Sequence, residues 1–191
     1  MNLNQPSVVV GWVVVMVSWF AWAYPFIFRA PHNQKRASIT MAGPTRAGLF
    51  LECLAIFIAF VCHVPAEAPA PWWRLAGAIV LGPIAGVLAW TSVRHLGRQF
   101  RVNAGLYEDH ELVTTGPYAI VRHPIYSSLL AILSSTLFLL TPWHWALLSL
   151  GLFIAGTEIR VATEDELLAS RFGEKFERYK ARVKAYIPFV R

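Results

Sequence analysis

Five long apolar runs constrain the fold of this chain more than any other feature of its sequence. The first covers residues 8–28, and at the 1.5 Å rise of an α-helix its 21 residues extend about 30 Å, enough to cross a bilayer core. Four further runs cover residues 47–64, 75–93, 124–140 and 142–159. We therefore predict an all-α, polytopic membrane protein with five transmembrane helices.

The composition supports this fold class. Hydrophobic residues make up 56% of the chain and the mean hydropathy is +0.48, which is too apolar for an ordinary soluble domain. The net charge of +6 is compatible with nucleic-acid binding, but basic residues beside apolar spans more simply report orientation and contact with anionic lipids. We therefore expect the lipid bilayer as a partner and no nucleic acid.

The distribution of basic residues predicts the orientation. With the N-terminus outside, the cytoplasmic segments are residues 29–46, 94–122 and 160–191, and they carry 16 of the 17 Lys and Arg residues. The exception is Arg74. Because cytoplasmic loops are enriched in Lys and Arg, we predict the N-terminus outside and the C-terminus in the cytoplasm.

We predict one domain over residues 1–191, with three spans in residues 1–93 and a second half that begins at residue 94. The last two apolar runs meet at Thr141 and Pro142, so they must form an antiparallel helical hairpin. Residues 160–191 follow as a polar helix with apolar residues at helical spacing. We expect this amphipathic C-terminal helix to lie on the membrane or to cap a pocket.

The stretch from residue 110 to 126 combines histidine, arginine, tyrosine, glycine and proline between apolar segments. Such groups are costly near membrane depth unless they bind something, so we predict a pocket here. Because a hairpin brings its two ends together, the side chains of two segments should meet. They are Tyr118, Arg122, His123 and Tyr126 on one segment, and Glu158, Arg160 and Glu164 on the other.

Glu52 is the one charge in the second span. It is either a buried partner for a cation near the pocket, or a carboxylate that reaches the nearby interface or pairs with a loop arginine, and we favour the second interpretation. Cys53 and Cys62 have no second pair and no histidines at zinc spacing, so we predict no metal site.

Several ordered motifs resemble the isoprenylcysteine carboxyl methyltransferase family of integral membrane enzymes and, more loosely, phospholipid methyltransferases. They are LVTTGPY at residues 112–118, RHPIY at 122–126, and Arg160 followed by EDELL at 164–168. The resemblance covers residues 94–191 and implies a five-helix membrane fold that uses S-adenosylmethionine, with S-adenosylhomocysteine as the product. The cofactor contacts that it implies are His110, Leu112, Val113, Gly116, Tyr118, His123, Pro124 and Tyr126.

Arg160 and Glu164 fall where this family places an arginine and a glutamate that are important for activity. Asp165 stands where a second glutamate is usual, a difference that should matter little if the residue is solvated. A carboxylate acceptor is already ionised and needs only positioning, for example by Arg160, whereas an amine or thiol would need His123 or Glu164 as a base.

Simpler explanations exist for the same residues. His123 precedes Pro124 and is also suited to cap a helix, while Tyr118 and Tyr126 are also suited to anchor an interface. Asp165 and Glu166 are equally compatible with favourable charge at a helix N-terminus.

We predict a methyltransferase that modifies a lipophilic acceptor, such as a prenylated cysteine carboxylate or another small lipophilic acid, at the cytoplasmic membrane face. Two alternatives stay open. One is a methyltransferase for a phospholipid amine or a thiol, and the other is a non-enzymatic transporter or assembly protein.

Overall fold

The computed structural model describes residues 6–28, 39–40, 42–63, 71–97, 100, 105–106 and 111–191. Within these residues the chain forms six α-helices. They are α1 (Pro6–Phe28), α2 (Ala42–Val61), α3 (Trp72–Leu96), α4 (Pro124–Leu140), α5 (Trp143–Phe172) and α6 (Glu174–Arg182). A 3-10 turn covers Gly116–Ala119, and two-residue strands β1 (Ile39–Thr40) and β2 (Gly105–Leu106) pair antiparallel. The prediction of a helical membrane fold is confirmed.

Four described helices are long and apolar enough to cross a membrane. The candidate spans are Val9–Phe28, Gly43–Val61, Trp72–Leu96 and Trp143–Phe172. Helix α4 is shorter, at 17 residues, because Pro124 begins it and Pro142 follows just after its end. A fifth span and the hairpin therefore stay predictions.

Helix α5 is longer than its sequence pattern indicates. The expected boundary at residue 160 is wrong, since the helix has 30 residues from Trp143 to Phe172 and ends before Gly173, whose φ is +51°. Arg160 and Asp165 lie buried in the continued part instead of opening a new helix at the interface. The last helix, α6, begins only at Glu174 and has nine residues, with Phe176 buried.

The helices pack in pairs: α2 against α5, and α3 against both α4 and α1. The cores between them are apolar, as in the cluster that packs Ala55 and Leu133 against Phe153. Buried hydroxyls donate to carbonyls of the facing helix, for example Ser149 Oγ to the Ala55 carbonyl at 2.8 Å. Small residues and such hydroxyls are the usual means by which membrane helices approach closely.

Candidate functional site

A cavity of about 490 Å³ opens among α1, α2, α4 and α5. Part of its lining is apolar and comes from the first two helices, including Trp19, Trp22, Phe26, Leu49 and Ile56. The rest includes polar residues from the later segments and one from α2, namely Glu52, Tyr118, Arg122, His123, Arg160 and Glu164. The cavity therefore suits a ligand that is part apolar and part charged.

Asp165 joins the Arg-His-Pro motif to α5. Its carboxylate accepts a hydrogen bond from Arg122 Nη2 at 2.8 Å and lies 2.9 Å from His123 Nε2. Lys180 Nζ of α6 lies 3.5 Å away. Asp165 is 5% exposed, so the condition under which its difference from glutamate should matter little, a solvated residue, is not met. The helix N-terminus interpretation is also wrong, because α5 begins at Trp143.

His123 bridges two carboxylates. Its Nδ1 lies 3.2 Å from Glu164 Oε2, while its Nε2 faces Asp165. Burial alone lowers the pKa of His123, but the hydrogen bonds to Asp165 and Glu164 outweigh burial and raise the pKa above its ordinary value. With both ring nitrogens against carboxylates, the protonated ring fits the site best.

His123 also occupies the N-cap position of α4, and Pro124 is the first residue of that helix. The imidazole makes no capping hydrogen bond, because it is directed to the carboxylates instead. The capping interpretation therefore accounts for the backbone position of His123 but not for its side chain.

The C-terminal residues form hydrogen bonds with the Arg-His-Pro motif and fix its backbone, a role that sequence reasoning missed. The backbone N–H groups of Arg122 and His123 donate to the carbonyls of Lys184 and Ala185 at 2.7 and 2.8 Å. Ser127 Oγ donates to the Tyr186 carbonyl at 2.6 Å. Backbone pairing of this kind leaves no periodic side-chain pattern, so the sequence offered no signal for it.

Arg160 lies between α2 and α4. Its Nη1 donates to Glu52 Oε2 at 2.6 Å, and its guanidinium carbon lies 5.0 Å from the ring centroid of Tyr126. Thr157 Oγ1 donates to Glu52 Oε1 at 3.0 Å. Glu52 is 1% exposed, so the interpretation that we favoured, a carboxylate that reaches the interface or a loop arginine, is wrong.

The predicted meeting of the two segments is confirmed for Glu164, which accepts a hydrogen bond from the Tyr126 hydroxyl and contacts His123. Glu158 points elsewhere and binds Tyr186 and Arg191.

Most of the predicted site residues line the cavity. These are Leu112, Val113, Tyr118, His123, Tyr126, Arg160 and Glu164. Gly116 and Pro124 are not among the lining residues. Gly116 has φ +60°, and a Cβ there would lie 2.2 Å from His95 Nε2, so this position shapes the turn. His110 lies outside the described residues.

The Tyr118 hydroxyl is a buried polar group that a ligand in the cavity could pair. It lies on a residue 6% exposed, and among the residues that the structure describes it has no hydrogen-bond partner. Burial raises the pKa of Tyr118 well above its usual value, so the hydroxyl stays a donor. A ligand with polar atoms, such as S-adenosylmethionine, fits this position because buried polar groups are nearly always paired.

No group of three or more His, Cys, Asp or Glu residues is placed to hold a metal ion in the described part of the chain. Cys53 and Cys62 are both free. The absence of a metal site stays a prediction.

Apolar helices long enough to cross a membrane, around a cavity that also contains a buried charge network, are the arrangement of an integral membrane protein with a binding cavity. Residues 78–170 match the sequence model of the isoprenylcysteine carboxyl methyltransferase (ICMT) family. The resemblance that the motifs indicated is therefore confirmed for these residues.

Named relatives agree with this resemblance. Protein-S-isoprenylcysteine O-methyltransferase of Schizosaccharomyces pombe is 39% identical over 84 residues, which are 44% of this chain and 35% of that protein. Protein-S-isoprenylcysteine O-methyltransferase B of Arabidopsis thaliana is 29% identical over 122 residues, 62% of this chain and 61% of the relative. A probable protein-S-isoprenylcysteine O-methyltransferase of Oryza sativa subsp. indica is 30% identical over 122 residues, 62% of this chain and 63% of the relative. The chain thus spans less than two thirds of each of these relatives.

Proposed function

We propose that this protein is an integral-membrane methyltransferase that uses S-adenosylmethionine to methylate the carboxylate of a lipophilic, S-isoprenylcysteine-type acceptor. The observation that carries the proposal is a cavity that joins an apolar lining from α1 and α2 to the buried charges of the family motifs. The names of the relatives supply the acceptor class and the oxygen as the methylated atom.

S-adenosylmethionine, when bound, supplies an electrophilic methyl group on a sulfonium. Leu112, Val113, Tyr118, His123 and Tyr126 are the cavity residues that we assign to hold it, with His110 and the backbone turn at Gly116 and Pro124 completing the set. Tyr118 offers its buried hydroxyl as a hydrogen-bond donor. Glu164 offers a carboxylate that His123 and Tyr126 hold in place, suited to an ammonium group.

Arg160 is the residue that we assign to the acceptor. Its guanidinium lines the cavity next to Tyr126, and a fork of N–H donors matches the two oxygens of a carboxylate. A carboxylate is ionised at neutral pH, so the protein needs to orient it and exclude water but does not need to remove a proton.

The charge network favours a carboxylate over an amine or a thiol. Those acceptors would require a base, and both ring nitrogens of His123 are engaged by carboxylates. The contacts with Asp165 and Glu164 raise the pKa of His123 and so favour the protonated ring, which is a poor base. Glu164 accepts hydrogen bonds from two partners and is stabilised as an anion.

For the membrane arrangement we propose five spans, with α4 and α5 as a hairpin, the N-terminus outside and the C-terminus with amphipathic α6 in the cytoplasm. Helix α4 extends about 25 Å at 1.5 Å per residue, which is short for a span. Because α1 packs on α3 and α2 packs on α5 while both line the cavity, the acceptor reaches it laterally between α1 and α2.

The test uses the purified protein in detergent with tritium in the methyl group of S-adenosylmethionine. N-acetyl-S-farnesylcysteine should acquire the label as a base-labile ester, whereas phosphatidylethanolamine should not. Calorimetric titration with S-adenosylhomocysteine should give binding that His123→Ala loses. Label on the phospholipid would favour the amine alternative, and wild-type protein without binding or turnover would favour a non-enzymatic membrane protein.

A further inference from the structure

We infer that Glu52 is a positioning residue for Arg160, an inference that depends on the proposed function. Glu52 lies on α2, outside residues 78–170 that match the family. Its side chain lines the cavity together with that of Arg160, although the two residues are more than 100 positions apart in the sequence. The acceptor site is therefore assembled from two helices, and α2 supplies the carboxylate that sets where the guanidinium lies.

Both oxygens of Glu52 are in use. Oε2 accepts from Arg160 Nη1 at 2.6 Å, and Oε1 accepts from Thr157 Oγ1 at 3.0 Å. The three residues are buried, with Glu52 1%, Thr157 0% and Arg160 7% exposed. A carboxylate in an apolar span is costly unless it is paired and hydrogen-bonded, and this arrangement satisfies that requirement.

The crossing of α2 and α5 makes this pairing possible. A Cβ on Gly48 would lie 2.5 Å from Arg160 Cγ, and a Cβ on Gly156 would lie 2.6 Å from the Gly48 carbonyl oxygen. The aliphatic part of Arg160 therefore lies against the Gly48 backbone, and Glu52 receives the guanidinium one turn later on α2. Any larger residue at the crossing would separate the two charged groups.

Arg160 is thus held from two sides. Glu52 binds it on α2, and the Tyr126 ring of α4 lies 5.0 Å from its guanidinium carbon. Tyr126 in turn donates to Glu164. Both oxygens of Glu52 accept hydrogen bonds from Thr157 and Arg160, so Glu52 is not available to accept a proton from the acceptor. It therefore acts through Arg160.

We expect a substitution of Glu52 to lower turnover of the acceptor but not affinity for the cofactor product. Glu52→Gln keeps the shape of the side chain but replaces one oxygen with a donor that cannot accept from Arg160 or Thr157. We expect kcat/KM for N-acetyl-S-farnesylcysteine to fall about 10- to 100-fold, as for a misplaced orienting group, while affinity for S-adenosylhomocysteine stays within about twofold. Glu52→Asp, which keeps the charge on a shorter arm, should recover part of the loss.

The decisive experiment is a double-mutant cycle of Glu52→Gln with Arg160→Lys, measured by acceptor turnover. If Glu52 acts through Arg160, the substitution of Glu52 should have little further effect in the Arg160→Lys protein. Glu166→Gln, on the exposed face of α5, is the matched carboxylate control and should behave like wild type. Equal losses in both backgrounds, or an equal loss of S-adenosylhomocysteine affinity, would overturn the inference.

If Glu52→Gln fails to fold, Thr157→Val tests the same inference. It removes one donor to Glu52 without changing any charge, and we expect about a threefold fall in kcat/KM with unchanged cofactor affinity. Wild-type turnover in this variant would overturn the inference. Wild-type protein that neither binds S-adenosylhomocysteine nor transfers label would instead overturn the proposed function, and this inference with it.

Discussion

His123 Nδ1 lies 3.2 Å from Glu164 Oε2, and this contact joins the start of α4 to the C-terminal half of α5. The same ring uses Nε2 to reach Asp165, the next residue along α5. One imidazole therefore ties the Arg-His-Pro motif to two consecutive acidic residues. The contact places the two most informative motifs of the sequence on one wall of one cavity.

The contacts of His123 predict a pH dependence. Because its folded pKa is raised, the stability that His123 contributes is fully present below its unfolded pKa of about 6.5 and is lost as pH rises through the folded pKa. The thermal unfolding temperature in detergent should therefore decline above about pH 6.5. His123→Gln should flatten this decline, while His144→Gln, at an exposed position, should not. Parallel pH profiles for wild type and His123→Gln would contradict the prediction.

Removal of the Asp165 carboxylate should destabilise the protein strongly. Asp165→Ala leaves Arg122 and His123 buried without their shared partner, a loss that typically costs about 3–5 kcal/mol. The neighbouring Glu166→Ala, at an exposed position, should change stability by about 0.5 kcal/mol or less. Thermal unfolding in detergent measures both, and equal stability of the two variants would show that the Asp165 network contributes little.

Arg160 should affect turnover more than cofactor binding. Arg160→Ala removes the donor that we assign to the acceptor carboxylate, so kcat/KM should fall about 100-fold or more. Affinity for S-adenosylhomocysteine, measured by calorimetry, should stay close to that of wild type. An equal loss of affinity and turnover would move Arg160 from the acceptor to the cofactor.

Tyr118→Phe separates ligand binding from folding. The hydroxyl has no partner among the described residues, so its removal should leave the free protein as stable as wild type or more so. If the cofactor uses this donor, affinity for S-adenosylhomocysteine should fall about fivefold, or about 1 kcal/mol. Tyr179→Phe is the contrast, because its hydroxyl donates to the Tyr118 carbonyl at 2.5 Å and its loss should lower stability. Unchanged affinity in Tyr118→Phe would remove this hydroxyl from the cofactor site.

A single methyl group added where α2 and α5 cross should destabilise the protein. Gly156→Ala places a Cβ 2.6 Å from the Gly48 carbonyl oxygen, a backbone atom that cannot rotate away, and overpacking of this kind costs about 1–3 kcal/mol. In the same helix, Gly151→Ala meets nothing within 4 Å and should raise helix stability slightly. The unfolding temperatures of the two variants should therefore move in opposite directions, and a shift of both in the same direction would contradict the packing.

Local motifs predicted much of the site. Tyr118, His123 and Tyr126 were found because they stand in short, ordered motifs, and α5 supplies Arg160 and Glu164 one turn apart on one face. Glu52 was misjudged for the opposite reason. A single carboxylate in an apolar run has no local pattern that distinguishes a group at the interface from one paired with a distant helix.

The end of α5 was also misjudged from local polarity. Charged residues after residue 159 predicted that the apolar helix ends there. In the structure the helix continues to Phe172. Its charged residues Arg160 and Asp165 are buried there because they pair with α2 and with the Arg-His-Pro motif. The backbone N–H and C=O groups of α5 are hydrogen-bonded within the helix itself. Only its charged side chains need partners from other parts of the chain.

The sequence by itself determined that the chain forms long apolar helices, because backbone groups in a bilayer must be satisfied within each segment and a run of about 20 apolar residues permits little else. It also determined which residues carry the family motifs. Only the tertiary structure decided that Arg160 pairs with Glu52 and that Asp165 is buried. The physical reason is that these pairings depend on how closely two helices cross, which small residues such as Gly48 and Gly156 permit but do not by themselves specify.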